Sequence, residues 1–136
     1  MRRRILVFGL WALVAALVVA VTRLLVAYEI SDRSMEPALR HGDWVLGTRR
    51  PRLLRRGQVV VFAHPMRPGF DMVKRVAAVA GEEVGRVALS RGEVWALGDN
   101  PDAGSVDSRS LGPIRREWVR ARLLLRYRPG PPSRVR

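Results

Sequence analysis

Cysteine is absent from the 136 residues. That excludes disulfides, thiol catalysis and cysteine-based metal sites. Histidine occurs only as His41 and His64, with no ligand-like spacing between them, so no metal or other cofactor is expected. Acidic residues are few: 12 Asp and Glu face 25 Lys and Arg, for a net charge of +13 and a pI of about 11.8. Such an excess suits nucleic acid or an anionic membrane surface. Lysine itself is nearly missing. Only Lys74 is lysine, which leaves 24 arginines among the 25 basic side chains. A bias in codon composition produces the same arginine excess, so charge alone names no ligand. At this length the chain has room for one domain.

A chain that writes arginine almost everywhere keeps one lysine, and the two cations differ in chemistry. Guanidinium does not lose its proton in a protein, whereas a desolvated ammonium does. Only lysine can become a neutral amine near pH 7 and act as a base. Lys74 lies in Phe70-Asp-Met-Val-Lys-Arg-Val-Ala-Ala78. Read as a strand, this stretch puts Phe70, Met72, Lys74, Val76 and Ala78 on one face, with Lys74 its sole polar group. Burial there would lower the amine's pKa. A lysine whose stem snorkels at a strand edge fits the same pattern.

The N-terminal run is the long hydrophobic segment. After Arg2-Arg3-Arg4, residues Ile5 to Val21 carry no charge, and Leu24 to Ala27 continue the apolar character beyond Thr22 and Arg23. A helix from Ile5 to Val26 would be roughly 33 Å long, enough for a hydrocarbon core of ~30 Å. A cleaved signal peptide would have a shorter apolar region and a small-x-small cleavage site, so an uncleaved anchor over residues 1–27 is expected. Three arginines before the span argue for a cytoplasmic N-terminus, although Arg23, Arg33 and Arg40 after it reduce the asymmetry. The expected placement is single-pass in the cell membrane with the remaining domain on the outer face.

From Tyr28 onward the pattern turns to strands: Asp43–Thr48, Gln58–Phe62, the lysine strand, two strands between Val84 and Leu97 broken near Ser90-Arg91-Gly92, and Trp118–Tyr127. In the last, Val119, Ala121, Leu123, Leu125 and Tyr127 alternate with arginines, interrupted by Leu124. No long 3.6-residue period follows the anchor. A mostly β domain over 28–127 is therefore expected, with 128–136 as a frayed, disordered tail.

Two further stretches carry candidate chemistry. Ser31-Asp-Arg-Ser34-Met-Glu-Pro37 offers a serine just beyond the anchor. Its hydroxyl needs a base. Neither histidine lies in a motif-like context, and a Ser-Lys pairing is a known variant of that chemistry. A plain turn accounts for Ser and Pro at this spacing as well. Gly98-Asp-Asn-Pro-Asp-Ala-Gly-Ser105-Val-Asp107-Ser-Arg109-Ser-Leu-Gly112-Pro-Ile114 is dense in hydroxyls, acids and glycines. An extended segment would aim Ser105, Asp107 and Arg109 one way, with a hydroxyl orienting the lysine amine and an Asp–Arg pair bracing the loop. A long polar loop is the plainer reading.

Together these stretches resemble the type I signal peptidase family of serine proteases. Ser34-Met-Glu-Pro37 is similar to its nucleophile box, and Val73-Lys74-Arg75 with Gly81 to its lysine box. Gly98-Asp99-Asn100 with Ser105 to Arg109 and Gly112-Pro113-Ile114 is similar to its final box. Gly57-Gln58-Val-Val-Val-Phe62 resembles a further box, with Gln58 where Asp is common. The resemblance covers about Ile30 to Tyr127. It implies a signal-peptidase-like catalytic β core preceded by one transmembrane helix. It also implies a membrane-anchored serine endopeptidase that cuts signal peptides or pro-segments from exported precursors after small residues. On that resemblance Ser34 is the nucleophile, Lys74 the general base, Ser105 the lysine-positioning hydroxyl, and Asp107 with Arg109 the brace of the last box. The Ser34 backbone N–H would meet the oxyanion. In some members a hydroxyl two residues before the nucleophile is the second donor; here that position is Asp32, and a carboxylate donates nothing. A backbone N–H or Ser31 would have to substitute.

Larger members insert an additional β domain where this chain has only about two dozen residues, between Lys74 and Gly98. The short form also resembles maturation proteases dedicated to one precursor, such as those for nickel superoxide dismutase. A rival of another class is an inactive, membrane-tethered basic binding module. The run Arg49-Arg-Pro-Arg-Leu-Leu-Arg-Arg56 reads as a solvated loop, or as a lipid contact with Leu53 and Leu54 in the interface. With no aromatic platform or recognition helix beside the charge, nucleic acid is not an expected partner. Precursor substrates and the lipid bilayer are.

Overall fold

The computed structural model describes residues 2–135. It opens with helix α1 (Arg2–Leu24) and passes directly into strand β1 (Leu25–Glu29). Nine further strands follow: β2 (Trp44–Arg49), β3 (Val59–Ala63), β4 (Asp71–Val79), β5 (Glu83–Val84), β6 (Val87–Ala88), β7 (Glu93–Leu97), β8 (Ile114–Arg115), β9 (Val119–Arg128) and β10 (Ser133–Arg134). A one-turn helix α2 (Ser108–Leu111) precedes β8. The fold is mostly β with one N-terminal apolar helix.

From Val7 to Leu24, α1 is long and apolar enough to cross a membrane, and none of that span is buried in the protein. Phe8, Leu10, Trp11, Leu13 and Leu17 all project outward. A helix that is apolar all round needs a protein or lipid environment to cover it.

The helix is shorter at its C-terminal end than the apolar run suggests. Leu25 and Val26 are strand residues, paired with Thr48 and Gly47 of β2. Apolar periodicity does not separate a buried helical turn from a strand over so few residues. The backbone pairing with β2 decides it.

Eight strands form one antiparallel sheet in the order β1-β2-β9-β3-β4-β7-β8, with β10 added beside β9, while β5 and β6 make a separate hairpin. At the centre of the sheet, β3 is buried on both faces, so Val59 to Phe62 form a continuous apolar run. Alternate residues feed two cores. Val59 and Val61 join Ile30, Met35, Leu39, Val45, Ala121 and Leu123. Val60 and Phe62 join Met72, Val76, Val94, Ala96, Ile114 and Val119. A bulge in the β3–β9 pairing between Val61 and Phe62 moves Val119 onto the second cluster while Ala121 stays on the first.

The alternation expected along the lysine strand is present. Met72, Lys74, Val76 and Ala78 are all buried, but Phe70 lies before β4 and is exposed. The tail is more ordered than its composition suggests. Ser133 and Arg134 pair with Arg126 and Leu125, Val135 N–H donates to the Leu124 carbonyl at 3.0 Å, and Val135 packs on the first core. The Pro-Gly-Pro-Pro segment therefore turns the chain back onto β9 rather than releasing it. In the arginine-rich loop Leu53 is exposed, whereas Leu54 packs against the second core. Only one of the two leucines is free to meet a membrane.

Candidate active site

Ser34 stands in the loop from β1 to β2, and its neighbours hold that loop to the sheet. Met35 and Leu39 are buried in the first core with Ile30. Leu39 N–H donates to the Met35 carbonyl at 2.8 Å, and Ile30 N–H donates to the Asp43 carbonyl at 2.8 Å, closing the loop at its base. Met35 and Leu39 thus plug the chain on either side of the turn, and Ser34 is 0% exposed.

Lys74 comes from the middle of β4, opposite Val60 of β3. It is 1% exposed, and its Nζ donates to Ser34 Oγ at 2.7 Å. The two residues are 40 apart in the chain. Burial lowers the Lys74 pKa below the ordinary lysine value, opposed by the charges of Asp32, Asp107 and Asp99 in that order. The apolar face of β4 and the fully buried β3 beside it keep water from the stem, so the cause is desolvation of the ammonium.

The third segment runs from Gly98 to Gly112 and closes over the serine loop. Asn100 N–H donates to the Ser34 carbonyl at 2.9 Å, and Asn100 Nδ2 donates to the Arg33 carbonyl at 3.1 Å. Gly98 lies so close that a Cβ there would meet the Ser34 carbonyl oxygen at 3.0 Å and Ser105 Oγ at 3.2 Å. A side chain at this position would press the two segments apart by a few tenths of an ångström.

Asp107 and Arg109 pair, but in a different geometry from the extended one expected. They do not alternate on an extended segment. Asp107 is the N-cap of α2, accepting from Arg109 N–H at 3.0 Å, and the Arg109 guanidinium returns to the same carboxylate at 3.0 and 2.6 Å. Gly98 N–H is a further donor to it, at 3.1 Å. A carboxylate that caps a helical turn satisfies N–H groups otherwise left unpaired, and this outweighs an extended path. Burial pushes the Asp107 carboxyl up, but the hydrogen bonds from the Arg109 side chain, Arg109 N–H and Gly98 N–H, with the arginine charge, hold it below the usual carboxylate range.

Ser105 is near the centre but is not bonded to Lys74. Its Oγ is buried without a hydrogen-bond partner among the described residues. The expected Ser105–Lys74 hydrogen bond is therefore not formed here. A different group engages the pair. Asp32 Oδ1 accepts from Ser34 Oγ at 2.9 Å and from Ser34 N–H at 3.1 Å. The backbone donor expected for an oxyanion thus already carries a carboxylate. Asp32, Arg33, Ser34, Asn100 and Ser105 line an open cavity of about 410 Å³.

Two contributions were not read from the sequence. Ser108, buried in α2, accepts from Ala96 N–H of β7 at 2.9 Å. Arg75, on the face of β4 opposite Lys74, donates from Nε to Asp99 at 2.7 Å and from Nη1 to the Gly57 carbonyl at 2.7 Å. The strand alternation that singles out Lys74 also placed Arg75 on the other face, but nothing local pointed to Asp99.

The family model for signal peptidase, peptidase S26, matches residues 2–89. The chain belongs to that family. It is 34% identical over 112 residues to mitochondrial inner membrane protease subunit 1 of Xenopus tropicalis, a match covering 73% of this chain and 66% of the relative. Against the same subunit of Homo sapiens it is 30% identical, covering 73% of this chain and 67% of the relative. Signal peptidase I of Aquifex aeolicus is 39% identical over 61 residues, which cover 43% of this chain and 24% of that protein. The matched part thus spans about two thirds of the mitochondrial relatives. The family match ends before Gly98, so it does not reach the segment that closes over Ser34.

Proposed function

We propose that the chain is a serine endopeptidase with a Ser34–Lys74 dyad that removes signal peptides or pro-segments from exported precursors. The observation that carries this is the buried contact of 2.7 Å between Lys74 Nζ and Ser34 Oγ. A serine beside a desolvated lysine is the pairing that makes a hydroxyl nucleophilic without histidine.

In this reading Lys74, as the neutral amine, takes the Ser34 proton while Oγ attacks the scissile carbonyl. The Ser34 N–H meets the developing oxyanion. Lys74 then protonates the leaving amine, and water, deprotonated by Lys74 in turn, hydrolyses the acyl-enzyme. Ser105, whose buried hydroxyl has no hydrogen-bond partner among the described residues, would receive the Lys74 amine once Ser34 Oγ is acylated. Asp107 and Arg109 hold the segment that carries it.

The anchor and its surroundings support a membrane location. α1 would cross the cell membrane once with its N-terminus cytoplasmic, and the β domain, starting at Leu25, would sit on the outer face. At the end of α1, residues Thr22 to Leu24 open onto a groove lined by arginines that include Arg49, Arg52, Arg116 and Arg120. That charge suits anionic headgroups.

The test compares full-length wild type, Ser34→Ala and Lys74→Arg in detergent on a precursor with a small-x-small site. Both variants should lose cleavage. Arginine keeps the charge but cannot be the base, so a Lys74→Arg enzyme as active as wild type would refute the dyad.

A further inference from the structure

The Ser34 hydroxyl has one proton to give. Its contact with Asp32 at 2.9 Å requires that proton, because an ionised carboxylate only accepts. The contact with Lys74 at 2.7 Å must then run from nitrogen to oxygen. That is the reverse of the direction in which a base acts on a nucleophile. The same Asp32 oxygen also takes the Ser34 N–H, the donor that an attacked carbonyl needs.

We propose that the Asp32 carboxylate is a displaceable stopper of the reaction centre, occupying the Ser34 N–H and accepting the hydroxyl hydrogen bond that must be redirected to Lys74 before the proton can be transferred. The proposal rests on the Ser34–Lys74 reading. Substrate entry would turn Asp32 outward, give the N–H to the scissile carbonyl and redirect the Ser34 hydroxyl to Lys74. No bond forms or breaks in that step; one carboxylate exchanges protein donors for water.

The setting permits the movement. Asp32 is exposed at the lip of the cavity, whereas Ser34 and Lys74 are buried. Its neighbour Arg33, which also lines the cavity, is engaged by Glu36 at 3.1 Å. Asn100 and Asp102, which line the same cavity, supply no cation to hold the carboxylate in place. The charged groups that act on Lys74 are Asp32 from the serine loop, Asp107 from the cap of α2 and Asp99 from the loop after β7. Of these, Asp99 is committed to Arg75 and Asp107 to Arg109. Asp32 alone among the three has no arginine partner among the described residues. Its charge favours the ammonium form of Lys74, so the stopper opposes the base electrostatically as well as by occupying the serine.

The apparent activity of an enzyme whose competent state is only fractionally populated is reduced by that fraction. Removing the stopper should therefore raise kcat/KM, by roughly tenfold or more, the factor that one hydrogen bond to a charged group is worth.

The experiment measures kcat/KM against pH for full-length wild type, Asp32→Ala, Asp32→Ser and Asp32→Asn in detergent, with Ser34→Ala and Lys74→Arg as controls and urea melts on all. Expected is a gain for Asp32→Ala and Asp32→Ser, with the ascending limb moved to lower pH. Asp32→Asn keeps the turn's acceptor but drops the charge, so its limb should move the same way even if the alanine variant folds poorly. Folded Asp32 variants with unchanged limbs and no gain would overturn the stopper while leaving the dyad intact. Loss of activity in all three folded variants would make Asp32 a required group and overturn it too. An active Lys74→Arg would instead remove the reading on which the proposal stands.

Discussion

Arg75 and Asp99 join the two segments that meet at Ser34. Arg75 projects from β4 on the face opposite Lys74, and its guanidinium donates through Nε to the Asp99 carboxylate at 2.7 Å. Because Asp99 lies between Gly98 and Asn100, this pair pins the segment whose Asn100 N–H holds the Ser34 carbonyl. One strand thus supplies the candidate base from one face and a support for the serine loop from the other.

Breaking that support should cost activity more than stability. Both side chains are partly exposed, at 22% and 15%, so solvent screens the charge pair. A double-mutant cycle of Arg75→Met and Asp99→Asn should give a coupling of about 1 kcal/mol in urea unfolding. Cleavage should fall by a larger factor, in kcat rather than KM, since a displaced Asn100 loosens Ser34. Equal losses in kcat and stability would make the pair a brace for the fold alone.

Lys74→Met should abolish cleavage and stabilise the protein. Burial holds the Lys74 pKa below the ordinary lysine value, so the unfolded chain binds a proton more tightly than the native one. Stability from this group therefore rises with pH between the lowered native pKa and the unfolded value of ~10.4, and the penalty is fully present below that window. Methionine fills similar space without the ammonium. The wild type should gain stability on raising the pH through that window, and the variant should lack that component. Urea midpoints across pH measure both.

The strands around this lysine were legible because β3 and β4 follow simple patterns: a fully apolar run at the centre of a sheet, and an alternating one beside it. The Ser34 and Lys74 stretches were legible as residue types, and the structure brings them into contact. β1 was hidden because Leu25 to Ala27 continue the apolar character of α1, and only pairing with β2 distinguishes strand from helix. Arg75–Asp99 was hidden because the partners are 24 residues apart and either alone reads as a solvated charge. The path of Asp107 to Arg109 was misread because alternation and an N-cap place the same residue types at the same spacing. Asp32 was recognised as unable to donate, but its role as acceptor depends on the turn that brings it back to Ser34.

Acid should release the last segment before it unfolds the sheet. The Asp107 carboxyl is held below the usual range by Arg109 and by the Arg109 and Gly98 N–H groups, against its burial. Its stabilising contribution is thus present above the unfolded value of ~3.9 and lost as pH falls through the lower native value. Asp107→Asn should remove this acid-dependent step and reduce activity at neutral pH, where the carboxylate otherwise braces α2. Amide exchange of residues 98–111 as pH is lowered, with and without the substitution, checks it.

Gly98→Ala should fold but cleave poorly. The added Cβ would stand 3.0 Å from the Ser34 carbonyl oxygen and 3.2 Å from Ser105 Oγ. The backbone oxygen cannot swing aside, so the two segments must separate by a few tenths of an ångström. The cost in stability should be about 1–3 kcal/mol, the range for overpacking a tight site. Misplacement of Ser34 should lower kcat by roughly a hundredfold. Wild-type kcat in the folded variant would show that the serine tolerates the shift.

Ser105→Ala separates a positioning role from a structural one. The Ser105 hydroxyl is buried and unpaired among the described residues, so deleting it removes a desolvated polar group and leaves no partner stranded. Stability should stay level or rise slightly. If Ser105 receives the Lys74 amine after acylation, the step most affected is deacylation, where Lys74 must orient water without the support of Ser34 Oγ. The variant should then show a burst of product followed by a slowed steady state, with kcat and KM falling together as acyl-enzyme accumulates. Cleavage at the wild-type rate, with no burst, would leave Ser105 without a catalytic task and assign the lysine's orientation to Ser34 and the walls of β3 and β4.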